Sequence, residues 1–165
     1  GLSYPFLDSI SMVSGTFGKA FGSGGAFLAS NKRIGEILIQ TSSPFRYTTA
    51  LSPSLAAGAL KSLQKIKKNP NLGTDLLRIS KRWKKEIEDI DKYEVIGDAH
   101  IISLIIGDED KTMMMQKFLE ENGFLAVGIR PPTVQVGKSR IRITIRSSLD
   151  TNILKNFISV IKAYK

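Results

Sequence analysis

The sequence predicts an α/β fold in two parts, of which the second carries a mostly antiparallel sheet with helices on one face. Short apolar runs suited to strands alternate with longer segments whose apolar residues recur every three or four positions, the spacing of an amphipathic helix. Of the 165 residues, 42% are hydrophobic and 24% are charged, which is typical of a globular chain. This length suffices for one domain together with part of a second.

The first part of the chain contains two short apolar runs that we interpret as strands. They are "ISMVS", which begins at residue 10, and "GAFLAS", which begins at residue 25. Because successive residues are apolar, both strands are predicted to be buried on both faces. The first fifty residues contain too few elements to cover them, so we expect another polypeptide segment to support this part.

Helices follow these strands. The stretch "NKRIGEILIQTS" predicts a short helix, and "SPFRYTTALSP" predicts a connection punctuated by prolines. A long helix is predicted to begin near Ser52, where Ser-Pro supplies an N-cap and a proline at the first helical position. It is expected to end before "KNPNLG". We therefore divide the chain into residues 1–50, a connecting helix over 51–69 and a second part over 70–165.

The second part is predicted to be a compact unit of its own. Trp83 lies in an amphipathic helix and is expected to anchor that helix to the sheet. A further helix is predicted to end at Gly123, and another closes the chain. The predicted strands are "YEVIG", "HIISLIIG", "FLAVGIR" and "RIRITIRS".

The composition excludes several kinds of site. The sequence has no cysteine and a single histidine, His100, so disulfides, thiolate zinc sites and histidine-rich metal sites are excluded. No apolar run approaches the ~20 residues that cross a bilayer, and no export signal opens the chain. We therefore expect a cytoplasmic protein with no metal site and no membrane partner.

The formal net charge of +9 raises nucleic acid as a possible partner. Nine basic and four acidic side chains fall between Lys61 and Ile90. Most of them lie around Trp83, so we interpret them as the solvated face of a helix. Because no aromatic residues interleave with the charges and no nucleic-acid motif is present, we expect no nucleic-acid partner, and a basic binding module stays as an alternative.

The stretch "SGTFGKAFGSGGAF", residues 14–27, places Lys19 among five glycines between two predicted strands. Val13 and Ala20 stand where a Walker phosphate loop needs glycine and serine or threonine. The glycines lead into a strand, unlike the dinucleotide fingerprint, and Thr16 with Lys19 lacks the partner motifs of the Ser-x-x-Lys enzymes. Two interpretations remain, a surface lysine or an amine nucleophile, held in a tight apolar pocket, that reacts with the aldehyde of a flat cofactor.

Two motifs together resemble one enzyme family. "GTFGKAFGSGGAFLAS" is similar to the cofactor-lysine segment of the α-oxoamine synthases, fold-type-I enzymes that condense an amino acid with an acyl thioester. "GIRPPTVQVGKSRIRITI" resembles the C-terminal part of the same family. The resemblance implies pyridoxal 5'-phosphate as the cofactor, Lys19 as the catalytic lysine that binds it covalently and Thr16 as a phosphate ligand. It also implies a homodimer with active sites at the interface, in which Thr48 or Thr49 reaches the partner subunit's phosphate.

The alternation in "RIRITI" puts Arg140, Arg142 and Thr144 on one face of a strand. An arginine that faces a cleft can bind a carboxylate through two parallel hydrogen bonds, although two solvated arginines on an edge strand would give the same pattern. The resemblance implies that Arg142, or else Arg140, binds the carboxylate of the amino-acid substrate. It further implies that Thr133, in the "RPPT" loop, contacts the substrate.

The resemblance covers the whole chain but only the C-terminal portion of the family's enzyme, namely the end of the fold-type-I large domain followed by the small α/β domain. A chain of this extent is expected to be incomplete for catalysis unless the rest is supplied. "IRPPTV" followed by "RIRIT" is closest to the members that use L-alanine and a pimeloyl thioester of coenzyme A or a carrier protein. Sister synthases, which tend to carry "YP.V" at this loop, are the nearest alternative, and an inactive fragment is the second.

Overall fold

The structure, a computed structural model, describes residues 8–164. It divides into two compact units, Gly1–Pro70 and Asn71–Lys165. Helices and strands alternate along the chain, so the predicted α/β class is confirmed. No helix within the described residues combines the length and the apolar character that crossing a membrane requires.

The first unit contains a two-stranded antiparallel sheet and three helices. Strand β1 (Met12–Thr16) pairs with β2 (Ala26–Ser30), and Val13 lies opposite Ala29. The helices are α1 (Lys32–Thr41), α2 (Ser43–Arg46) and α3 (Pro53–Lys68). Helix α2 is a single turn inside the segment predicted as a connection. It has a proline in its first turn, where the missing N–H leaves no helical bond unmade.

Within the described residues the first two strands pair with each other but are not buried, as expected for strands that this chain has too few elements to cover. In β1 only Val13 and Gly15 are half-buried, and all five residues of β2 are exposed. The ladder forms because antiparallel strands joined by a turn pair locally. Burial requires a layer on each face, and the described residues of this unit do not supply those layers. The apolar runs therefore predict the strands correctly, and their burial by a further polypeptide stays a prediction.

Helix α3 begins where the Ser-Pro pair predicts. Ser52 is the N-cap residue, although its hydroxyl makes no capping hydrogen bond, and a proline follows it at the start of the helix. Asn69 ends the helix, and its Nδ2 donates to the Lys65 carbonyl at 2.8 Å. Lys65, Lys67 and Lys68 lie in the last turn, where positive charge interacts favourably with the negative end of the helix dipole.

The second unit contains three helices and four strands. The helices are α4 (Leu72–Glu88), α5 (Glu109–Glu121) and α6 (Thr151–Ala163), and the strands are β3 (Glu94–Ile96), β4 (Ile101–Gly107), β5 (Val127–Ile129) and β6 (Ser139–Thr144). They form one sheet in the order β3-β4-β6-β5, in which every neighbouring pair is antiparallel. The predicted antiparallel sheet is confirmed, although β5 is shorter than the apolar run that predicts it.

One hydrophobic core joins a face of this sheet to the three helices. Leu104 of β4 lies opposite Ile141 of β6, and both are fully buried. Trp83 is 2% exposed, and its ring centroid lies 5.5 Å from that of Phe157 in α6, so its predicted role as an anchor is confirmed. Burial raises the pKa of Tyr93, which borders the same core.

Side-chain caps and a glycine define the ends of α5 and α6. Asp108 accepts a hydrogen bond from the backbone of Lys111 at 2.8 Å, and Asp150 accepts one from the backbone of Ile153 at 2.9 Å. These bonds satisfy N–H groups that have no partner inside the helix. Gly123, with φ +83°, follows α5 in the left-handed conformation that commonly ends a helix.

Candidate functional site

Lys19 lies in the turn that joins β1 to β2, which we call the lysine turn (residues 17–25). Three backbone hydrogen bonds of 2.9 Å hold it: Phe17 N to Gly25 O, Ser23 N to Phe17 O, and Gly22 N to Lys19 O. The first two link the arms of the turn, and the third closes a tight turn that begins at Lys19. The side chain of Lys19 is thus carried at the tip of a hydrogen-bonded hairpin connection.

The Lys19 side chain is exposed, and it forms no hydrogen bond or ion pair with any residue from 8 to 164. Within residues 8–164 the side chain is therefore exposed as in the first of the two interpretations, a surface lysine, and no tight apolar pocket surrounds the amine. The aromatic side chains of the turn pack on one another instead, with the ring centroids of Phe17 and Phe21 5.2 Å apart. An exposed amine without a carboxylate partner is accessible to a carbonyl compound.

Thr16 ends β1 and lies beside the lysine turn. Its Oγ1 accepts a hydrogen bond from Gly18 N at 3.2 Å and donates one to Gly25 O at 3.4 Å. Both contacts are exposed, and the second is long for a hydroxyl donor. The hydroxyl of Thr16 can therefore donate to an incoming anionic oxygen in place of the Gly25 carbonyl.

The glycines of this region serve two different purposes. A Cβ added at Gly24 would lie 3.0 Å from the side chain of Leu55, and one added at Gly25 would lie 3.0 Å from that of Leu51. These two glycines permit close packing. Gly22, by contrast, has φ +58° and no heavy atom within 4 Å of an added Cβ, so it provides a left-handed turn position beside open space.

Two serine hydroxyls connect the lysine turn to α3. Ser62 Oγ donates to the carbonyl of Phe21 at 2.7 Å, and Ser23 Oγ donates to the carbonyl of Leu55 at 2.6 Å. The sequence analysis does not identify either residue. A signal exists in the helical spacing, because Ser62 lies three positions after Ala59, the buried residue of α3, and a polar residue on that face needs a partner.

Thr48 and Thr49 lie in the connection between α2 and α3 and are exposed. Within the described residues, neither side chain forms a hydrogen bond, and none joins them to the lysine turn. Their predicted role toward a partner subunit's phosphate stays a prediction.

In the second unit, Arg140 and Arg142 lie on the face of β6 opposite the core. Arg140 Nε donates to the carbonyl of Lys138 at 3.0 Å, whereas the Arg142 side chain is exposed and makes no hydrogen bond or ion pair with any residue from 8 to 164. Arg142 also lines an open cleft of about 930 Å³, together with Arg146 and Asn156. Of the two arginines, Arg142 therefore has the guanidinium that no described residue engages.

Thr133 lies in the turn that precedes β6. Its backbone N–H donates to the carbonyl of Arg130 at 3.0 Å, and its side chain is exposed. The structure describes the lysine turn in one unit and Thr133 with the two arginines in the other. The predicted substrate contact of Thr133 stays a prediction.

The model of the family described as aminotransferase class I and II matches residues 5–161. The chain belongs to this family. The resemblance that the lysine turn and the "RPPT" loop indicate is confirmed at this level.

Curated relatives agree with this membership. The chain is 35% identical over 153 residues to the 8-amino-7-oxononanoate synthase of Pseudomonas syringae pv. syringae (strain B728a), covering 91% of the chain and 39% of that relative. It is 33% identical over 142 residues to the synthase of the same name from Ectopseudomonas mendocina (strain ymp), covering 86% of the chain and 36% of that relative. The chain thus spans less than two fifths of the length of these relatives.

Solved structures share the fold of the chain. A Sphingomonas wittichii serine palmitoyltransferase superposes with a TM-score of 0.86 at 24% identity, covering 94% of this chain and 40% of that one. An 8-amino-7-oxononanoate synthase from Francisella tularensis superposes with a TM-score of 0.78 at 23% identity, covering 91% and 44%. A further match is described as SPT with PLP. The chain therefore has an α/β fold that matches part of the fold-type-I enzymes.

Proposed function

We propose that the protein containing this chain is a pyridoxal-phosphate-dependent α-oxoamine synthase. It condenses L-alanine with a pimeloyl thioester, with loss of carbon dioxide, to give 8-amino-7-oxononanoate, a step of biotin synthesis. The observation that carries the proposal is the lysine turn, in which the exposed amine of Lys19 has no partner among the described residues, while the Thr16 hydroxyl accepts from Gly18 N at the start of the turn. The names of the curated relatives support the choice of substrates.

Lys19 of the lysine turn and Thr16 at the end of β1 fit two ends of this cofactor. The Lys19 amine suits its aldehyde, and the Thr16 hydroxyl, whose second hydrogen bond is 3.4 Å long, suits a phosphate oxygen. The open space at Gly22 leaves room for a flat group beside them. When bound, pyridoxal phosphate withdraws electrons from the α-carbon of the amino acid. We assign no described residue to its pyridine ring.

Each proposed residue has a separate task in this reaction. With L-alanine bound in the site, the Lys19 amine would take the proton from the substrate α-carbon. A general base has to lie within hydrogen-bond reach of the proton that it takes. Arg142 binds the substrate carboxylate through two parallel hydrogen bonds, and Arg140 is the second choice. Thr133 contacts the substrate, and Thr48 or Thr49 donates a hydroxyl to the phosphate of the partner subunit.

The proposal extends to partners and location. We propose a cytoplasmic homodimer with active sites at the subunit interface, supplied with a pimeloyl group on coenzyme A or on a carrier protein. Nucleic acid has no part in this function. The chain's apolar β1 and β2 residues, such as Phe27 at 40% exposure, support a further covering polypeptide in the assembled enzyme.

The test is a reconstitution with the protein expressed from its complete gene. Purified protein, pyridoxal phosphate, L-alanine and pimeloyl-coenzyme A are expected to give 8-amino-7-oxononanoate and one carbon dioxide per turnover. Glycine with acetyl-coenzyme A serves as the competing pair, because it is the substrate pair of 2-amino-3-ketobutyrate CoA ligase, the sister enzyme. Faster turnover of that pair would overturn the substrate assignment and keep the family, and a protein that stays colourless with cofactor would overturn both.

A further inference from the structure

We propose that the hydroxyls of Ser62 and Ser23 are the positioning groups of the lysine turn, fixing it on α3 so that the Lys19 amine is presented at a set place. We call these two residues the serine pair. The inference rests on the proposed function only for the role of Lys19. The contacts of the serine pair are independent of that role.

The two hydrogen bonds are reciprocal. Ser62, on the helix, donates to a carbonyl of the turn, that of Phe21, at 2.7 Å. Ser23, on the turn, donates to a carbonyl of the helix, that of Leu55, at 2.6 Å. Phe21 and Ser23 lie two and four positions after Lys19, and both contacts are long-range, 41 and 32 residues apart in sequence. Together they attach the part of the turn that follows Lys19 to α3, at Leu55 and at Ser62.

Close packing surrounds the serine pair. A Cβ added at Gly58 would lie 3.3 Å from Ser23 Oγ, and one added at Gly24 would lie 3.0 Å from the side chain of Leu55. A larger residue at either glycine would therefore push the turn away from α3. The chain uses glycine where the turn meets the helix and a hydroxyl where a polar group must be satisfied.

The first arm of the turn is held separately, by the Thr16 hydroxyl that accepts from Gly18 N at 3.2 Å. Lys19 lies between the arm held by Thr16 and the arm held by the serine pair. Its backbone position is therefore determined from both sides, while its side chain stays exposed. Bond formation at an amine depends on placement within about an ångström, so loss of the serine pair should slow the chemistry of Lys19 more than it disturbs the fold.

The first experiment measures amide hydrogen exchange in the protein expressed from its complete gene. Ser62→Ala is expected to speed exchange of the Gly22 and Ser23 amides about fivefold, because a factor of this size corresponds to the loss of one ordinary hydrogen bond. Exchange in β6 should not change. Ser54→Ala is the matched control, because Ser54 lies on the same helix and its hydroxyl contacts only Ser52. Unchanged exchange in the turn of Ser62→Ala and of Ser23→Ala would overturn the inference.

The second experiment measures capture of pyridoxal phosphate at Lys19 by borohydride reduction and peptide mass. Ser62→Ala and Ser23→Ala are each expected to slow the initial rate of labelling at Lys19 about tenfold, with labelling at Lys61 unchanged. Ser62→Thr keeps a hydroxyl and is expected to restore the rate. Should Ser62→Ala fail to fold, Ser23→Ala decides the question, because its hydroxyl lies on the turn.

The outcomes separate the two proposals. Wild-type protein that carries no label at Lys19 would overturn the proposed function, and the exchange experiment would still test the serine pair. Wild-type labelling at Lys19, with the same rate in both alanine variants, would overturn the positioning role and leave the proposed function standing. A rate that falls equally at Lys19 and Lys61 would also overturn the positioning role, since it would report general unfolding.

Discussion

Lys19 occupies a position where packing does not require a lysine, because its side chain is exposed and contacts no charged residue within residues 8–164. Lys19→Ala is therefore expected to change the free energy of unfolding by less than about 0.5 kcal/mol. The same variant should lose covalent pyridoxal phosphate and turnover completely. Intact mass after borohydride reduction and a urea titration measure the two effects. Lys61→Ala, an exposed lysine of α3, is the control, and a pyridoxyl group found on a lysine other than Lys19 would contradict the assignment.

Within residues 8–164 the Arg142 guanidinium makes no hydrogen bond or ion pair, whereas Arg140 Nε donates to a backbone carbonyl. Arg142→Ala is expected to weaken L-alanine binding by about 2–5 kcal/mol, the usual effect of removing one partner of a desolvated charge pair. Titration of the cofactor absorbance with L-alanine measures this effect, and retention of cofactor should not change. Arg140→Ala is the matched control, because its Nε is bonded to the Lys138 carbonyl. Equal losses of alanine and cofactor binding would show that Arg142 is structural.

Sequence reasoning offers candidates for reactive residues more readily than candidates for the residues that position them. Lys19 and Thr16 are recognisable because their spacing among glycines is unusual, and the chemistry of an amine restricts what such a segment can do. The serine pair depends on contacts 32 and 41 residues apart, which no local pattern encodes. The sequence leaves open whether Lys19 is exposed or held in a pocket, since this depends on which other segments lie beside the turn.

The turn between β3 and β4 depends on Gly97, which has φ +110°. A Cβ at this position would collide with the backbone carbonyl of Ile101. Gly97→Ala is therefore expected to lower the free energy of unfolding by about 1–3 kcal/mol, measured by urea titration. Gly73→Ala in the first turn of α4 is the control, because no atom lies near an added Cβ and alanine favours a helix by up to about 1 kcal/mol. Similar changes in both variants would contradict this account.

Acidic side chains of helix α4 form ion pairs with basic side chains of the same helix and so offset part of its positive charge. Its ion pairs are Arg78 with Asp75, Arg82 with Glu86, and Lys84 with Glu88, at 3.4–3.9 Å. Each is worth little in stability, but together they reduce the positive potential of the helix face. We expect the protein to show no retention on duplex DNA at about 0.15 M salt. Retention that falls steeply as salt rises would instead favour a basic nucleic-acid-binding module.

Elements are predictable from this sequence where their apolar pattern is long enough. The alternation of β6 predicts the buried Ile141 and Ile143 correctly, because one face of a strand packs on a core. Helix α2 has only four residues, too few for a helical period to be recognised. The strand predicted from "FLAVGIR" is reduced to Val127–Ile129, because only these residues pair with β6.

The two units differ in how completely they bury their own apolar residues. The second unit has a continuous core in which Ile141 and Leu154 are essentially inaccessible. The first leaves Phe27 40% and Leu28 50% exposed. In dilute protein we expect amide exchange in β6 to be slower than in β1 and β2, measured by mass spectrometry. Equal protection of both regions would mean that the first unit is stable by itself.

The arrangement of strand edges has a consequence for handling the protein. In the second unit the long strands β4 and β6 lie inside the sheet, and its edges are the three-residue strands β3 and β5. Short edges are poor templates for a strand from another molecule. In residues 8–70, each strand of the β1–β2 ribbon pairs on one side only, and the ribbon carries the exposed Met12 in β1 and the exposed Leu28 in β2. Aggregation on concentration or storage should therefore start at this ribbon, and a charged residue placed at Leu28 is the substitution that would suppress it.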